Sequence, residues 1–214
     1  MKIILFDLDG TLMDTLQDIT DSVNYAMEKT GYPLRSTEEV RRAVGNGVVR
    51  LIGNLLPEES EETREKILDI FRPYYALHAM DKSGPYEGLP AVLKKLEEDG
   101  YLCGIVSNKP DEATSVIGKH FFPSFPLALG QREDIPRKPD AAPIEYALKA
   151  MGGTKEECIY VGDSEVDVLT AANAGVPCIG VTWGFRDEKV LLEAGAKHLA
   201  HTPDELYERI REIL

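Results

Sequence analysis

Between Phe6 and Thr15 the sequence FDLDGTLMDT carries three aspartates, directly after the wholly apolar run IILF. Asp7 and Asp9 stand two residues apart, so in an extended chain both side chains point the same way, and Gly10 permits a sharp turn after them. Crowded carboxylates repel, and a divalent cation is the first candidate to offset that repulsion. The chemistry such a pair suits is phosphoryl transfer. An aspartate at a strand end can attack phosphorus and form an aspartyl-phosphate. A second carboxyl beside it can protonate the leaving oxygen and later activate water. A polar turn with a capping aspartate would use the same letters.

Three further stretches add to this chemistry. Ser107 and Asn108 close a second apolar run, just before KPDEATSVIG, whose pattern predicts a helix. A hydroxyl and backbone N–H groups at a helix start would seat a phosphate, although Ser107 alone could equally be an N-cap. Lys138 precedes Pro139, which biases it toward extended backbone and lets an ammonium reach across a strand end. GDSEVDV places Asp163 after the apolar CIYV and Asp167 four residues later. With a helix starting near Ser164 the two carboxylates share a face, as a hard cation requires, and as a capped helix with an exposed acid would also show.

The elements that must position these residues follow from hydrophobic patterning. IILFD (3–7), LCGIVSN (102–108), CIYVGD (158–163) and CIGVTWG (178–184) are apolar runs ending in polar or glycine residues, and FPLALG (125–130) is a fifth candidate strand. Helical spacing lies between them, as in Leu89, Val92, Leu93, Leu96 and in Ile144, Ala147, Leu148, Met151. Strands apolar on both faces that alternate with helices indicate an α/β doubly wound parallel sheet, with chemistry at the C-terminal strand ends. From Thr15 to Lys82 the pattern is helical without a strand, too long for one crossover. The expected organisation is a core of residues 1–14 plus 83–214, with a helical cap of residues 15–82 inserted after the first strand.

Nucleophile, hydroxyl, lysine and acidic pair, in that order and each at a strand end, resemble the haloacid dehalogenase superfamily of phosphotransferases over essentially the whole chain. The resemblance implies a Rossmann-like core and a phosphatase that hydrolyses small phosphate monoesters. It makes Asp7 the nucleophile and Asp9 the general acid/base, with Ser107, Asn108 and Lys138 at the phosphoryl group. It implies Mg²⁺ held by Asp7, the Asp9 carbonyl and Asp163, with Asp167 in support. Four carboxylates and a near-dianionic phosphate against one lysine leave a deficit that such a cation would correct. VGNGVVRLIGNLL (44–56) and GVTWGF (180–185) are similar to the phosphoglycolate phosphatase branch, which brings Asn46, Gly47 and Arg50 forward as substrate contacts from the cap. Similar caps serve pyrophosphatases and nucleotidases. Ser107 stands where many relatives have Thr, and Ala141 where a proline is frequent.

A receiver-type signalling domain or a phosphate-binding module would share part of this set. The receiver lacks a helical insert after its first strand, and the binding module has no need of both Asp7 and Asp9. The net charge of −13 argues against a nucleic-acid or anionic-lipid surface, and no run approaches a membrane span, so the expected partner is a small phosphorylated metabolite in the cytoplasm. Cys103, Cys158 and Cys178 read as buried free thiols, and His198 and His201 have no ligand pattern around them. There is no GxxxxGK[ST] loop, so ATP need not be a cofactor.

Overall fold

A computed structural model describes residues 2–214, which form two compact units, 2–13 with 85–214 and 14–84. Among the described residues, no helix is long and apolar enough to cross a membrane.

The first unit begins with β1 (Ile3–Phe6), all four residues of which are buried. The chain crosses to the second unit at β2 (Met13–Asp14) and runs through α1 (Leu16–Thr30), α2 (Thr37–Ala43), α3 (Val48–Leu55) and α4 (Glu61–His78) before returning at β3 (Gly84–Pro85). The first unit then continues with α5 (Leu89–Glu98), β4 (Leu102–Pro110), α6 (Asp111–Phe121), β5 (Leu127–Gln131), α7 (Ala142–Met151), β6 (Cys158–Gly162), α8 (Glu165–Ala174), β7 (Cys178–Val181), α9 (Glu188–Glu193), β8 (His198–Ala200) and α10 (Pro203–Ile213).

Six strands make one parallel sheet in the order β5-β4-β1-β6-β7-β8. Taken in chain order, the members run 3-2-1-4-5-6, the doubly wound arrangement whose direction reverses beside its first strand. The two-residue alternation of β1 divides the core. Ile4 and Phe6 pack with Leu89, Val92, Leu96, Leu206 and Ile210 of α5 and α10, while Ile3 and Leu5 pack with Ile144, Leu148 and Ala171 of α7 and α8. Each such aliphatic side chain, fully buried, contributes roughly 1.5–3 kcal/mol, so β1 is anchored on both faces at the sheet centre.

One boundary departs from the sequence expectation. The second apolar run does not give way to helix at Lys109; β4 continues through Pro110, and α6 starts at Asp111. Pro110 disfavours helical geometry in the residue before it, which keeps Lys109 extended. Ser107 therefore lies inside a strand rather than at a helix start.

The second unit is a helical bundle. Ser36 and Glu39 form a reciprocal capping box at the start of α2, and the rings of Tyr25 and Tyr74 stack at 3.9 Å between centroids. The buried Asp18 carboxylate accepts from the N–H of Lys82, the N–H of Ser83 and the Ser83 hydroxyl, tying α1 to the returning segment at 2.6–3.1 Å.

Candidate active site

Asp7 follows the last residue of β1, and its N–H donates to the carbonyl of Val161 in β6 at 2.9 Å. Asp163 follows β6, so these two aspartates emerge from adjacent central strands where the sheet order reverses. The sequence lets them approach through two glycines. Gly10 has φ +85°, and a Cβ there would run into the Asp163 carboxylate; one on Gly184 would meet Asp163 and the carbonyl of Gly10. Asp163 is held at each oxygen, Oδ1 by the Thr11 hydroxyl at 3.0 Å and Oδ2 by the Phe185 N–H at 2.7 Å.

Lys138 links the strand ends. Its ammonium lies 3.0 Å from Asp7 Oδ1, 2.7 Å from Asp167 Oδ1 and 2.8 Å from the Tyr160 hydroxyl, three acceptors for three N–H groups. Asp167, fully buried in the first turn of α8, also accepts from the Tyr160 hydroxyl and, on Oδ2, from the N–H and hydroxyl of Ser164. The Asn108 carboxamide grips the Lys138 backbone from both sides, accepting its N–H at 2.9 Å and donating to its carbonyl at 3.0 Å. That amide positions the lysine.

Electrostatics separate these groups. Burial would lower the Lys138 ammonium, but Asp167 and Asp7 outweigh it and lift it to about 12, so it stays charged. Burial pushes the Asp163 carboxyl up to about 8, with Asp167 and Asp7 adding repulsion against the donors from Phe185 and Thr11. Asp7 rises to about 6, chiefly from burial, with Lys138 opposing. Oxygens of Asp7, Asp163 and Asp167 lie within 4.8 Å of one another. Three buried carboxylates so close, two of them with raised affinity for protons, present a hard oxygen donor set suited to a divalent cation. Each Asp163 oxygen accepts one hydrogen bond, which leaves lone pairs for an ion; the oxygens of Asp167 are committed to Lys138, Tyr160 and Ser164.

Asp9 stands apart from that group. Its Oδ1 pairs with the ammonium of Lys109 at 2.8 Å, a lysine whose side chain is only 2% exposed. The sequence reading missed Lys109, along with Tyr160, Thr11 and the Phe185 N–H. Lys109 had one available signal, its place in a run that stays extended up to Pro110. Ser107 is buried in β4, and its hydroxyl accepts the Lys109 N–H at 3.4 Å. Asn46, Gly47 and Arg50 belong to the second unit: Asn46 and Gly47 form the turn into α3, Gly47 with φ +81°, and Arg50 is exposed on that helix.

Comparison with known proteins agrees with this architecture. The profile of the haloacid dehalogenase-like hydrolases matches residues 4–181. The phosphoglycolate phosphatase of Vibrio parahaemolyticus is 30% identical, covering 97% of this chain and 95% of its own, and that of Vibrio cholerae is 32% identical over 91% and 90%. The crystal structure of a candidate phosphoglycolate phosphatase from Lactobacillus delbrueckii subsp. bulgaricus superposes with a TM-score of 0.94 at 35% identity, covering 98% of each chain. With sequence profile, relatives and fold in agreement along nearly the whole length, the chain belongs to the haloacid dehalogenase-like hydrolases and resembles their phosphoglycolate phosphatase branch.

Proposed function

We propose that the protein hydrolyses small phosphate monoesters with Mg²⁺ through an aspartyl-phosphate on Asp7, and that 2-phosphoglycolate is a preferred substrate. The observation that carries this reading is the setting of Asp7. Its Oδ1 is occupied by the Lys138 ammonium and the Leu8 N–H, which leaves Oδ2 to attack. Attack forms the Oδ2–P bond and breaks the ester P–O bond, while Asp9 gives a proton to the departing oxygen. Water then attacks phosphorus, its proton passes to Asp9, and the Asp7 carboxylate is released.

Lys138 keeps Asp7 aimed and supplies positive charge beside the phosphoryl group; Ser107 offers a hydroxyl donor to it. Asp7, Asp163 and the Asp9 carbonyl are the groups we assign to the metal, with Asp167 in support through Lys138. Counting Lys109 and Lys138 against Asp7, Asp9, Asp163 and Asp167 leaves about −2 before a near-dianionic substrate arrives. Bound Mg²⁺ would offset that charge and draw electron density from the phosphoryl oxygens.

We assign the chemistry to residues 1–14 plus 83–214 and substrate choice to the cap of residues 15–82, with Arg50 and the Asn46–Gly47 turn recognising the carboxylate of phosphoglycolate. The names of the relatives support that substrate. A panel of phosphorylated metabolites assayed with Mg²⁺ tests it, and 2-phosphoglycolate should rank among the best. Arg50→Ala should lower kcat/KM for 2-phosphoglycolate more than for an uncharged aryl phosphate. Clear preference for inorganic pyrophosphate or a nucleoside monophosphate would leave the mechanism standing and overturn the substrate.

A further inference from the structure

Beyond Val181, the last residue of β7, the chain from Thr182 to Asp187 is neither helix nor strand, yet it is pinned at successive points. The Thr182 N–H donates to the carbonyl of Ala200 in β8 at 3.1 Å. The Trp183 indole N–H donates to the carbonyl of Thr11 at 3.1 Å, and the Phe185 N–H to Oδ2 of Asp163 at 2.7 Å. Between those two, Gly184 lies so close to Asp163 and to the Gly10 carbonyl that a Cβ there would strike both. Thr11 in turn donates its hydroxyl to Oδ1 of Asp163 at 3.0 Å. The hydrogen bonds therefore close a ring, from one carboxylate oxygen through Thr11, Trp183 and Phe185 to the other. The Trp183 ring itself packs against the edge of the core, 6.4 Å from Tyr86 between centroids.

We propose that Trp183 is a positioning residue for the metal site, its indole N–H locking the loop after β7 to the turn after β1 so that Asp163 is held in one orientation ready for a cation. This rests on the assignment of Asp163 to the metal made above. The terminal torsion of an aspartate is broad, so a carboxyl held at one oxygen can still swing. Donors at both oxygens fix its plane, but only while the segments that carry them stay in register. Thr11 and Phe185 belong to distant parts of the chain, and the Trp183 hydrogen bond ties one to the other. Without it the loop is free to carry the Phe185 N–H away from Oδ2, and part of the binding energy of the ion goes into ordering its ligand. Partners that orient a metal ligand are typically worth about 10–100-fold in affinity. Trp183 acts through Asp163 and does not itself touch the ion.

The test measures Mg²⁺ binding directly, by calorimetric titration of protein first stripped with EDTA. Trp183 is the only tryptophan in the chain, so replacing tryptophan throughout with β-(3-benzothienyl)alanine changes this position alone. That side chain keeps the shape of the indole and puts sulfur where the N–H was, which removes the donor and preserves the packing. The Mg²⁺ dissociation constant should rise about tenfold or more, as for loss of a partner that orients a ligand. Trp183→Phe should raise it at least as far, and is read in place of the isostere if that protein does not fold. A role in packing alone would lower the metal-free Tm of Trp183→Phe and leave the isostere binding Mg²⁺ as the unmodified protein does. That result would overturn the proposal. Asp163→Asn measured alongside separates the two levels of the argument. If it weakens Mg²⁺ binding and the Trp183 replacements do not, the role of Trp183 alone fails; if it does not, the assignment of Asp163 to the metal fails with it.

Discussion

On α2, Glu38 accepts from Arg41 and Arg42 at 2.7–3.0 Å, and those hydrogen bonds hold its exposed carboxyl down at about 2. At the ends of β1 and β6, burial drives the carboxyls of Asp7 and Asp163 the other way, to about 6 and about 8. The helix has more cations per acid than the strand ends do, and its exposed charges are paired with one another. At the strand ends acids outnumber lysines and water is largely excluded. That surplus of buried oxygens is what suits the group to a divalent cation. A carboxylate's partners and burial therefore identify a site where its abundance does not; a surplus of acids spread over the whole chain says nothing about which of them act.

The strongest way to break this contrast is at Asp7. Asp7→Asn should leave the fold intact and cut turnover by about 10⁴-fold or more, since an amide cannot replace the nucleophile. A purified variant with more than a tenth of normal activity would place the chemistry elsewhere. Lys138→Ala should cost about 2–4 kcal/mol of transition-state stabilisation, read as a loss in kcat/KM. It should also lower Tm, because Asp7 and Asp167 lose their buried counter-charge.

A third prediction concerns pH. The Asp163 carboxyl stands at about 8 in the folded metal-free protein against an ordinary 3.8, so between those values the folded state binds more protons than the unfolded one. Stability without metal should be greatest at the acidic end of that window and fall as pH rises through about 8, with Asp7 adding to the fall through about 6. Because an ion binds the ionised carboxylates, the increase in Tm on adding Mg²⁺ should grow over the same range. Melting curves with EDTA and with Mg²⁺ from pH 5 to 8.5 check both; a metal-free Tm that rises across the window would contradict the assignment. Glu38→Gln marks the small end of the scale and should leave kcat/KM within experimental scatter.

The sequence made the strands, and the places where the aspartates gather, legible for one physical reason. A short apolar run that ends abruptly in Asp, Ser or Asp-Ser is buried up to its last residue and polar immediately beyond, which is how strand ends of a doubly wound sheet present side chains. Asp7, Ser107 and Asp163 were read that way, and all three lie at or near the ends of central strands. Lys109 was not legible. A lysine after Ser-Asn reads as the start of a solvated helix, and its burial depends on β4 continuing to Pro110 and on Asp9 one hundred residues away. Tyr160 hid differently: within CIYV it counts as an apolar strand residue, while its hydroxyl bridges Lys138, Asp167 and the carbonyl of Val106. The Phe185 N–H that holds Asp163 carries no side-chain signal at all. Asn108 was expected beside a phosphate seat, and pattern alone could not reveal that its amide is engaged with the Lys138 backbone.

The covalent step on Asp7 is the claim on which the rest depends, and trapping it is the most direct test. The enzyme would be quenched during turnover with Mg²⁺ and substrate, then reduced with borohydride, which converts an acyl phosphate into a primary alcohol. Peptide mass spectrometry then locates the reduced side chain. The mark should fall on Asp7 and vanish when substrate is omitted. A mark on Asp9 or Asp163, or none on any carboxyl while substrate is being consumed, would contradict the account.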